Sequence, residues 1–194
     1  MLIFKKNFYT MSAMKLKFLI LGLVFVGLSV SVCHAQDSEE TLSSLWTQAT
    51  DHLSYIWDEG RIEAVLPVHT WHNRWVYDHK KIKTYNENPW GFGLGKYVEP
   101  TEDRRYGIMA MTFQDSFNKP EPTIWYSWEA LWRAGKDFRP SLGIVAGITF
   151  RDNYHWIPVP GAAPTLGFDY KSFSVQSLYV PGFDVLFTWL VWRF

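Results

Sequence analysis

The chain has 194 residues, with 19 basic and 19 acidic side chains and no formal net charge, so it lacks the electrostatic footprint of a nucleic-acid binder and none is expected as a partner. Aromatic residues make up 18% of it, including 11 Trp, 10 Tyr and 14 Phe. That density suits a boundary between lipid and water better than an ordinary soluble domain, because Trp and Tyr join an apolar body to a polar tip.

At the N-terminus, Lys15 and Lys17 precede FLILGLVFVGLSVSV and then CHA. A basic start, an apolar run and a small-residue site ending at Ala35 form the pattern of a secretory signal, so residues 1–35 are expected to be cleaved. The apolar run is short for a transmembrane helix of ~20 residues. Cys33 is the sole cysteine, so cleavage after Ala35 leaves no disulfide, and Val32 is bulky where a lipoprotein site needs a small residue. No later run reaches the length of a membrane helix. An exported chain of this texture is either a secreted soluble protein or a closed outer-membrane barrel, the one sheet that leaves no backbone edge in lipid.

Residues 36–60 are assigned to an amphipathic helix, strongest over 40–57, where Leu42, Leu45, Trp46, Ala49, Leu53 and Ile56 share one stripe. It reads equally as a packing helix or as an interfacial helix on the periplasmic face. Residues 61–194 change texture, to segments of about ten residues separated by polar turns. They are 64–77, PWGFGLGKYVE, YGIMAMTFQDS, TIWYSWEALWR, PSLGIVAGITFR, WIPVPGAAPTLGF, FSVQSLYV and VLFTWLVWRF. Eight segments predict an all-β fold, an eight-stranded antiparallel outer-membrane β-barrel. Pro and Gly inside the second and sixth segments predict distorted pairing there. Leu190, Trp192 and Phe194 alternate up to the chain end, resembling the signal by which the outer-membrane barrel assembly machinery recognises its clients.

An even strand number puts both termini on one side, the periplasm in such barrels, and DHKKIKTYNEN, FNKPEP, DNYH and PGFD on the exterior. Alternation places Trp125, Ser127, Glu129, Leu131 and Arg133 of the fourth segment inside, together with Gly143, Val145, Gly147 and Thr149 of the fifth. The eighth segment is apolar on both faces. An interior apolar in its outer half holds either a hydrocarbon chain or a packed core.

Few side chains at the outer rim can do covalent chemistry. Strict alternation puts His69 with Trp71 and Trp75, and His72 with Leu66, Val68, Thr70 and Arg74. Each histidine alone reads ordinarily as a girdle residue. Asp115 and Ser116, before Asn118 and Pro120, read ordinarily as a turn cap, and they face one pocket only where the strand has ended. No cluster has metal-ligand spacing, and no phosphate loop or nucleophile elbow is present, so neither metal nor cofactor is expected.

From about residue 38 to the end, the chain resembles the lipid A palmitoyltransferase (PagP) family. The resemblance rests on TWHNRWVYDHKKIKTYNENPWGFGLG, FQDSFNKPEP, TFRDNYHWIPVPG and YVPG, and on the leading amphipathic helix. It implies a monomeric barrel that takes an acyl chain from the sn-1 position of a glycerophospholipid donor. The acceptor it implies is the N-linked hydroxyacyl chain on the proximal glucosamine of lipid A. The family's catalytic residues fall on His72, Asp115 and Ser116, with His72 as general base, Asp115 as orienter of the imidazole, and Ser116 as nucleophile or oxyanion donor. Pro67 and Pro181 match family positions where lipid enters between strands, Phe183 a gating aromatic, and Tyr106 a position tied to lipopolysaccharide recognition. Ser127 stands where the family often has a glycine floor to its acyl pocket, which implies a preferred chain of palmitate or slightly shorter. The competing readings are a small barrel that binds or carries a lipid without catalysis, and a structural adhesin-type barrel.

Overall fold

The computed structural model describes residues 38–194; the expected signal peptide, residues 1–35, lies outside the described residues. Helix α1 spans Ser38–Glu59, and β1 (Arg61–His72) leads through a short α2 (His79–Ile82) to β2 (Gly91–Thr101). Next come β3 (Arg104–Gln114), β4 (Pro120–Leu131), β5 (Phe138–Phe150), β6 (Pro158–Tyr170), β7 (Phe173–Val180) and β8 (Val185–Arg193). Each strand pairs antiparallel with its neighbours, and β8 returns to β1, so the eight close into the expected barrel.

Several boundaries differ from the sequence reading. β4 starts at Pro120, with Pro120 opposite Gln114 and Pro122 opposite Thr112, although prolines read as loop. A strand's first residues tolerate the missing N–H. The β2–β3 ladder is regular from Gly91↔Phe113 to Val98↔Tyr106, across the glycines of the second segment, and shifts only past it, between Val98 and Thr101 around Pro100. β6 keeps an unbroken register with β5 from Phe138↔Tyr170 to Phe150↔Pro158; its distortion lies on its other side.

The period of two sorts the faces. Met109, Met111 and Phe113 of β3 and Phe187, Trp189 and Val191 of β8 are buried inside, whereas Leu94, Ile124, Leu142, Leu166 and Leu190 are exposed on the outer wall. Trp125 points in as expected, and a Cβ at the facing Gly147 would lie 2.9 Å from its ring, so that glycine provides the room. Arg133 is a correction: β4 ends at Leu131, and Arg133 stands exposed beside Glu102 at 3.2 Å.

The interior divides in two along its axis. At the α1 end, four carboxylates (Glu63, Glu99, Glu129, Asp169) meet three guanidiniums (Arg105, Arg139, Arg193). Arg105, 1% exposed, donates to Glu99 at 2.9 Å, to Glu129 at 3.1 Å and to Asp169. Arg193 joins Glu63 and Asp169, each at 3.1 Å, and Gln176 donates to Glu129 at 2.8 Å. Glu129 thereby finds the partners its burial demands. The other half is the apolar cluster of Val65, Met109, Met111, Phe113, Val145, Ala163, Leu178, Phe187, Trp189 and Val191, with Trp125 packed on it. Ser127, 4% exposed, sits at the border: its row runs Gly107, Ser127, Val145, and a Cβ at Gly107 would approach its hydroxyl to 2.8 Å.

Helix α1 lies against the outside of β2–β4. His52 meets the Tyr106 ring edge-on at 4.7 Å and lies 3.2 Å from the Tyr126 hydroxyl, and the Lys96 ammonium donates to the Trp57 carbonyl. Of the expected apolar stripe Ile56 is fully buried, while Trp46 and Leu53 remain 73% and 42% exposed, leaving the open apolar side an interfacial helix presents.

Two stretches of the wall lack ladder bonds. β1–β2 pairing stops at Val65↔Gly93, and β6–β7 pairing stops at Thr165↔Leu178. Both gaps open toward the end opposite α1. At the first, a cleft of about 380 Å³ is lined by Leu66, Pro67, Val68, Pro89, Trp90 and Gly91.

The ionic half makes a stability prediction. Arg105→Ala leaves buried carboxylates uncompensated and is expected to destabilise the barrel by about 3–5 kcal/mol. Arg133→Ala breaks an exposed pair and is expected to change stability by about 0.5 kcal/mol or less. Denaturant titration in detergent micelles, followed by the heat-modifiable gel shift, compares the two; equal effects contradict the assignment of the network as the barrel's ionic core.

Candidate active site

The site is built where β1 departs from regular alternation. Glu63, Val65 and Pro67 face inward, then the β1–β8 register shifts between Pro67 and His69, and Thr70 and His72 face inward after it. The extra residue of a bulge inverts the parity of the residues beyond it. His72 therefore shares its face with Val65 and not, as strict alternation had it, with Leu66, which is exposed. His69 faces outward.

His72 is 3% exposed and engaged at both ring nitrogens. Nε2 lies 2.9 Å from the Ser116 hydroxyl, and Nδ1 lies 3.1 Å from Oε1 of Glu87, which also accepts the His72 amide at 3.1 Å. Arg74 grips Glu87 with two bonds, 2.7 Å to Oε1 and 2.5 Å to Oε2. That fork is the chief cause holding the Glu87 carboxyl down at about 2. An ionised carboxylate only accepts hydrogen bonds, so Nδ1 carries the ring proton and Nε2 offers its lone pair to Ser116.

The β1–β2 connection supplies this framework. Asp78 caps α2 by accepting from the Lys80 amide at 2.7 Å, and the chain then passes over the barrel mouth. The Tyr85 ring sits 4.5 Å from the imidazole and Tyr77 closes its edge at 5.7 Å. The Asn86 amide donates to the Ser116 carbonyl and the Thr70 amide to the Glu87 carbonyl, each at 2.9 Å. Residues 86–87 thus splice the Ser116 loop to the end of β1.

β3 ends at Gln114, so Asp115 and Ser116 are free of strand alternation. The question of turn cap or chemistry divides between them. Asp115 accepts from the amides of Phe117 and Lys119, both at 2.8 Å, and its second oxygen lies 3.8 Å from Arg151. It builds the turn, in which Asn118 takes φ 61°, and that turn presents Ser116 to His72. The expected contact between Asp115 and the imidazole is not made among the described residues; Glu87 occupies that position.

The remaining candidates are more dispersed. Pro67 starts the bulge and lines the wall cleft. Pro181 and Phe183 belong to the β7–β8 turn, where the Phe183 carbonyl accepts from the Tyr77 hydroxyl at 2.5 Å and the ring is exposed. Ser127 lies below the apolar cluster. Tyr106 is apart from the others, on the outer wall against His52 near α1. Glu87 and Arg74 escaped the sequence reading as site residues: alternation puts Arg74 on the first strand although β1 ends at His72, and Glu87 lies in a polar stretch that only the fold of a long connection brings back to His72.

Known proteins resemble this chain over most of its length. Residues 52–191 match the family model described as "Antimicrobial peptide resistance and lipid A acylation protein PagP". The chain is similar to a lipid A acyltransferase PagP of Yersinia enterocolitica, with 40% identity over 157 residues, 78% of this chain and 77% of that one. It is 38% identical to the one from Erwinia tasmaniensis over 189 residues, covering 93% of this chain and 100% of the relative. The one from Musicola paradisiaca is 42% identical over 156 residues, 76% and 81% of the respective chains. The matched span runs from within α1 into β8 and includes every residue of the His72 cluster, and the chain belongs to the PagP family.

Proposed function

We propose that the protein is a lipid A acyltransferase of the outer membrane. In this reading it moves a fatty acyl chain from the sn-1 position of a glycerophospholipid to the N-linked hydroxyacyl chain on the proximal glucosamine of lipid A. The observation that carries the reading is the 2.9 Å contact between His72 Nε2 and Ser116 at the mouth of a barrel with an apolar upper half, in a chain of this family.

The chemistry needs a base for the attacking hydroxyl and a donor for the tetrahedral oxyanion. His72 accepts the proton of that hydroxyl at Nε2. The oxygen adds to the ester carbonyl, and collapse expels the lysophospholipid oxygen, to which the imidazolium returns the proton. Whether Ser116 is acylated first or the lipid A hydroxyl attacks directly, the imidazole performs the same transfer. Neither route needs a metal or cofactor.

The donor enters sideways through the wall gaps, where Pro67 on one side and the β6–β7 opening near Pro181 on the other leave no ladder to break, and Phe183 flanks the second. Its chain runs down among Met109, Met111, Phe187 and Trp189, and its end meets Ser127, below which the interior turns ionic. Tyr106 sits too far down the outer wall for the acyl transfer itself and acts, if on lipid, through the bilayer-facing surface. The protein works as a monomer, with 1–35 removed on export and α1 (within 36–60) at the periplasmic face. The barrel, 61–194, is inserted by the assembly machinery through its terminal strand, and the active site faces the exterior.

His72→Ala and Ser116→Ala are each expected to lower acyl transfer at least about 10²-fold. Both should leave a folded, heat-modifiable barrel. Mass spectrometry of lipid A from expressing cells reads the product; normal turnover in both variants places the site elsewhere.

The Ser127 floor predicts a preference for palmitate or a slightly shorter chain. Ser127→Gly is expected to shift selectivity toward longer chains by about fourfold per methylene, the equivalent of about 0.8 kcal/mol. Acyl profiling with mixed phospholipid donors checks this, and a wild-type preference for chains longer than palmitate rejects it.

A further inference from the structure

Ionisable groups surround the imidazole on every side. Arg74, His69, Tyr77 and Tyr85 come from β1 and the β1–β2 connection, Ser116 from the β3–β4 turn, and Asp184 from the β7–β8 turn. Asp184 accepts the Tyr179 hydroxyl at 2.6 Å, and Asp115 is committed to two backbone amides and faces Arg151. Of the carboxylates among the described residues, Glu87 alone touches the ring, through Nδ1, while its other bonds anchor it to the His72 amide and to the Arg74 fork.

From this arrangement we infer that Glu87 is the positioning carboxylate of the transfer reaction, fixing the His72 tautomer and stabilising its cation, and that Asp115 acts only by shaping the turn that carries Ser116. The inference rests on His72 being the base of the proposed acyl transfer. A histidine base must begin neutral with a lone pair toward its substrate hydroxyl and end as a cation. A fixed acceptor at Nδ1 serves both needs, since it forbids the opposite tautomer and opposes the new charge. Glu87 meets these conditions in three ways. It contacts ring and backbone of the same histidine, so the amide bond keeps the carboxylate beside Nδ1 and rotation of the ring costs the Nδ1 bond. Its approach is locked by a bidentate guanidinium, which fixes direction better than a lysine. The Tyr85 ring against the imidazole face restricts rotation further. Asp115 holds the turn through Oδ1, which accepts from the amides of Phe117 and Lys119, and its Oδ2 lies beside Arg151, while the imidazole's two nitrogens are taken by Glu87 and Ser116.

This pairing also sets the pH behaviour. Arg74 keeps Glu87 ionised down to about pH 2, below its ordinary 4.5, so the carboxylate is charged throughout the range in which an imidazole titrates. The stabilising pair is complete above about pH 4.5 and is lost only as the pH falls through about 2. An acid limb of activity between these ranges and neutrality therefore reports the imidazole. Removing the carboxylate charge disfavours the imidazolium, and the unpaired Arg74 acts in the same direction, so the limb moves to lower pH.

The test compares Glu87→Gln with Asp115→Asn in full-length protein reconstituted in phospholipid–detergent micelles, with the folded fraction read by gel shift. For E87Q the expected results are a kcat lowered about tenfold or more with little change in KM, and an acid limb of kcat/KM displaced downward by about one pH unit. E87D is expected to recover part of the rate and of the limb position. D115N is expected to lose rate with its acid limb where the wild type has it. A wild-type kcat and limb in E87Q, or a limb moved by D115N and not by E87Q, overturns the inference. The His72 ring nitrogens of the wild-type protein, read by 15N NMR in micelles, give an answer that needs no variant: the neutral ring should carry its proton on Nδ1, and a proton on Nε2 overturns the assignment. If His72→Ala keeps normal turnover, the proposed function itself falls; if it is inactive while E87Q is normal, only this inference falls.

Discussion

A strand surrounded by hydrocarbon has nowhere to send an unpaired N–H or C=O, and that constraint organises the molecule. The eight strands close so that no edge remains, and the ladder is continuous around the α1 end. Apart from the register shifts at Val98–Thr101 and Pro67–His69, pairing stops short in two places among the described strands, above Val65↔Gly93 and above Thr165↔Leu178. Each break has prolines beside it, Pro67 at the first and Pro164 immediately past the last pair of the second. Proline has no N–H to satisfy, so these are the places where the wall can open at least cost. Both breaks flank the half of the barrel that carries His72, so the relaxed constraint and the proposed chemistry share one end.

The other end is correspondingly rigid. Seven interlocked charges fill it, and each strand contributes a side chain to the network or to its hydrogen bonds: Glu63, Glu99, Arg105, Glu129, Arg139, Asp169, Ser174 and Arg193. Buried charges of this kind add little net stability over apolar packing, but they admit only one arrangement and so fix strand register. The apolar cluster then stands on a defined base, and Ser127 marks the plane where hydrocarbon must give way to ions. A chain longer than the cluster is deep meets desolvated charge, a steeper penalty than a mere clash of methylenes.

Much of the fold was legible in the sequence because the period of two is strict wherever ladders are regular. The inward faces of β4 and β5, the existence of the terminal strand and the helix before the barrel follow from alternation and stripe spacing alone. Three features were not legible, each for a different reason. The start of β4 at Pro120 was hidden because composition marks proline as loop, although a strand's first positions accept it. Arg133 was carried one pleat too far because alternation does not say where a strand ends. The partner of His72 was hidden because Glu87 reaches it through an aperiodic loop, and a loop's path is set by contacts such as Asn86 to Ser116 that no local pattern encodes.

In the proposed function, the bulge at Pro67 ties entry and catalysis together. Without the shift between Pro67 and His69, the parity that buries Val65 would send His72 to the lipid face and turn His69 inward. The same irregularity begins just where β1 leaves β2, at the lip of the cleft beside Trp90 and Gly91. The extra residue in the β1–β8 ladder turns the imidazole toward Ser116, just beyond the point at which β1 has left β2. The position of the base relative to an entering ester is then set by the covalent length of β1 between Pro67 and His72, five peptide units of one strand held by β8, and not by a mobile loop. In the proposed reaction this accounts for a base on a strand with its partners Glu87 and Ser116 on loops: the strand fixes the distance from the wall gap, and the loops need only be stitched to the strand, as the backbone bonds from Thr70 to Glu87 and from Asn86 to Ser116 do.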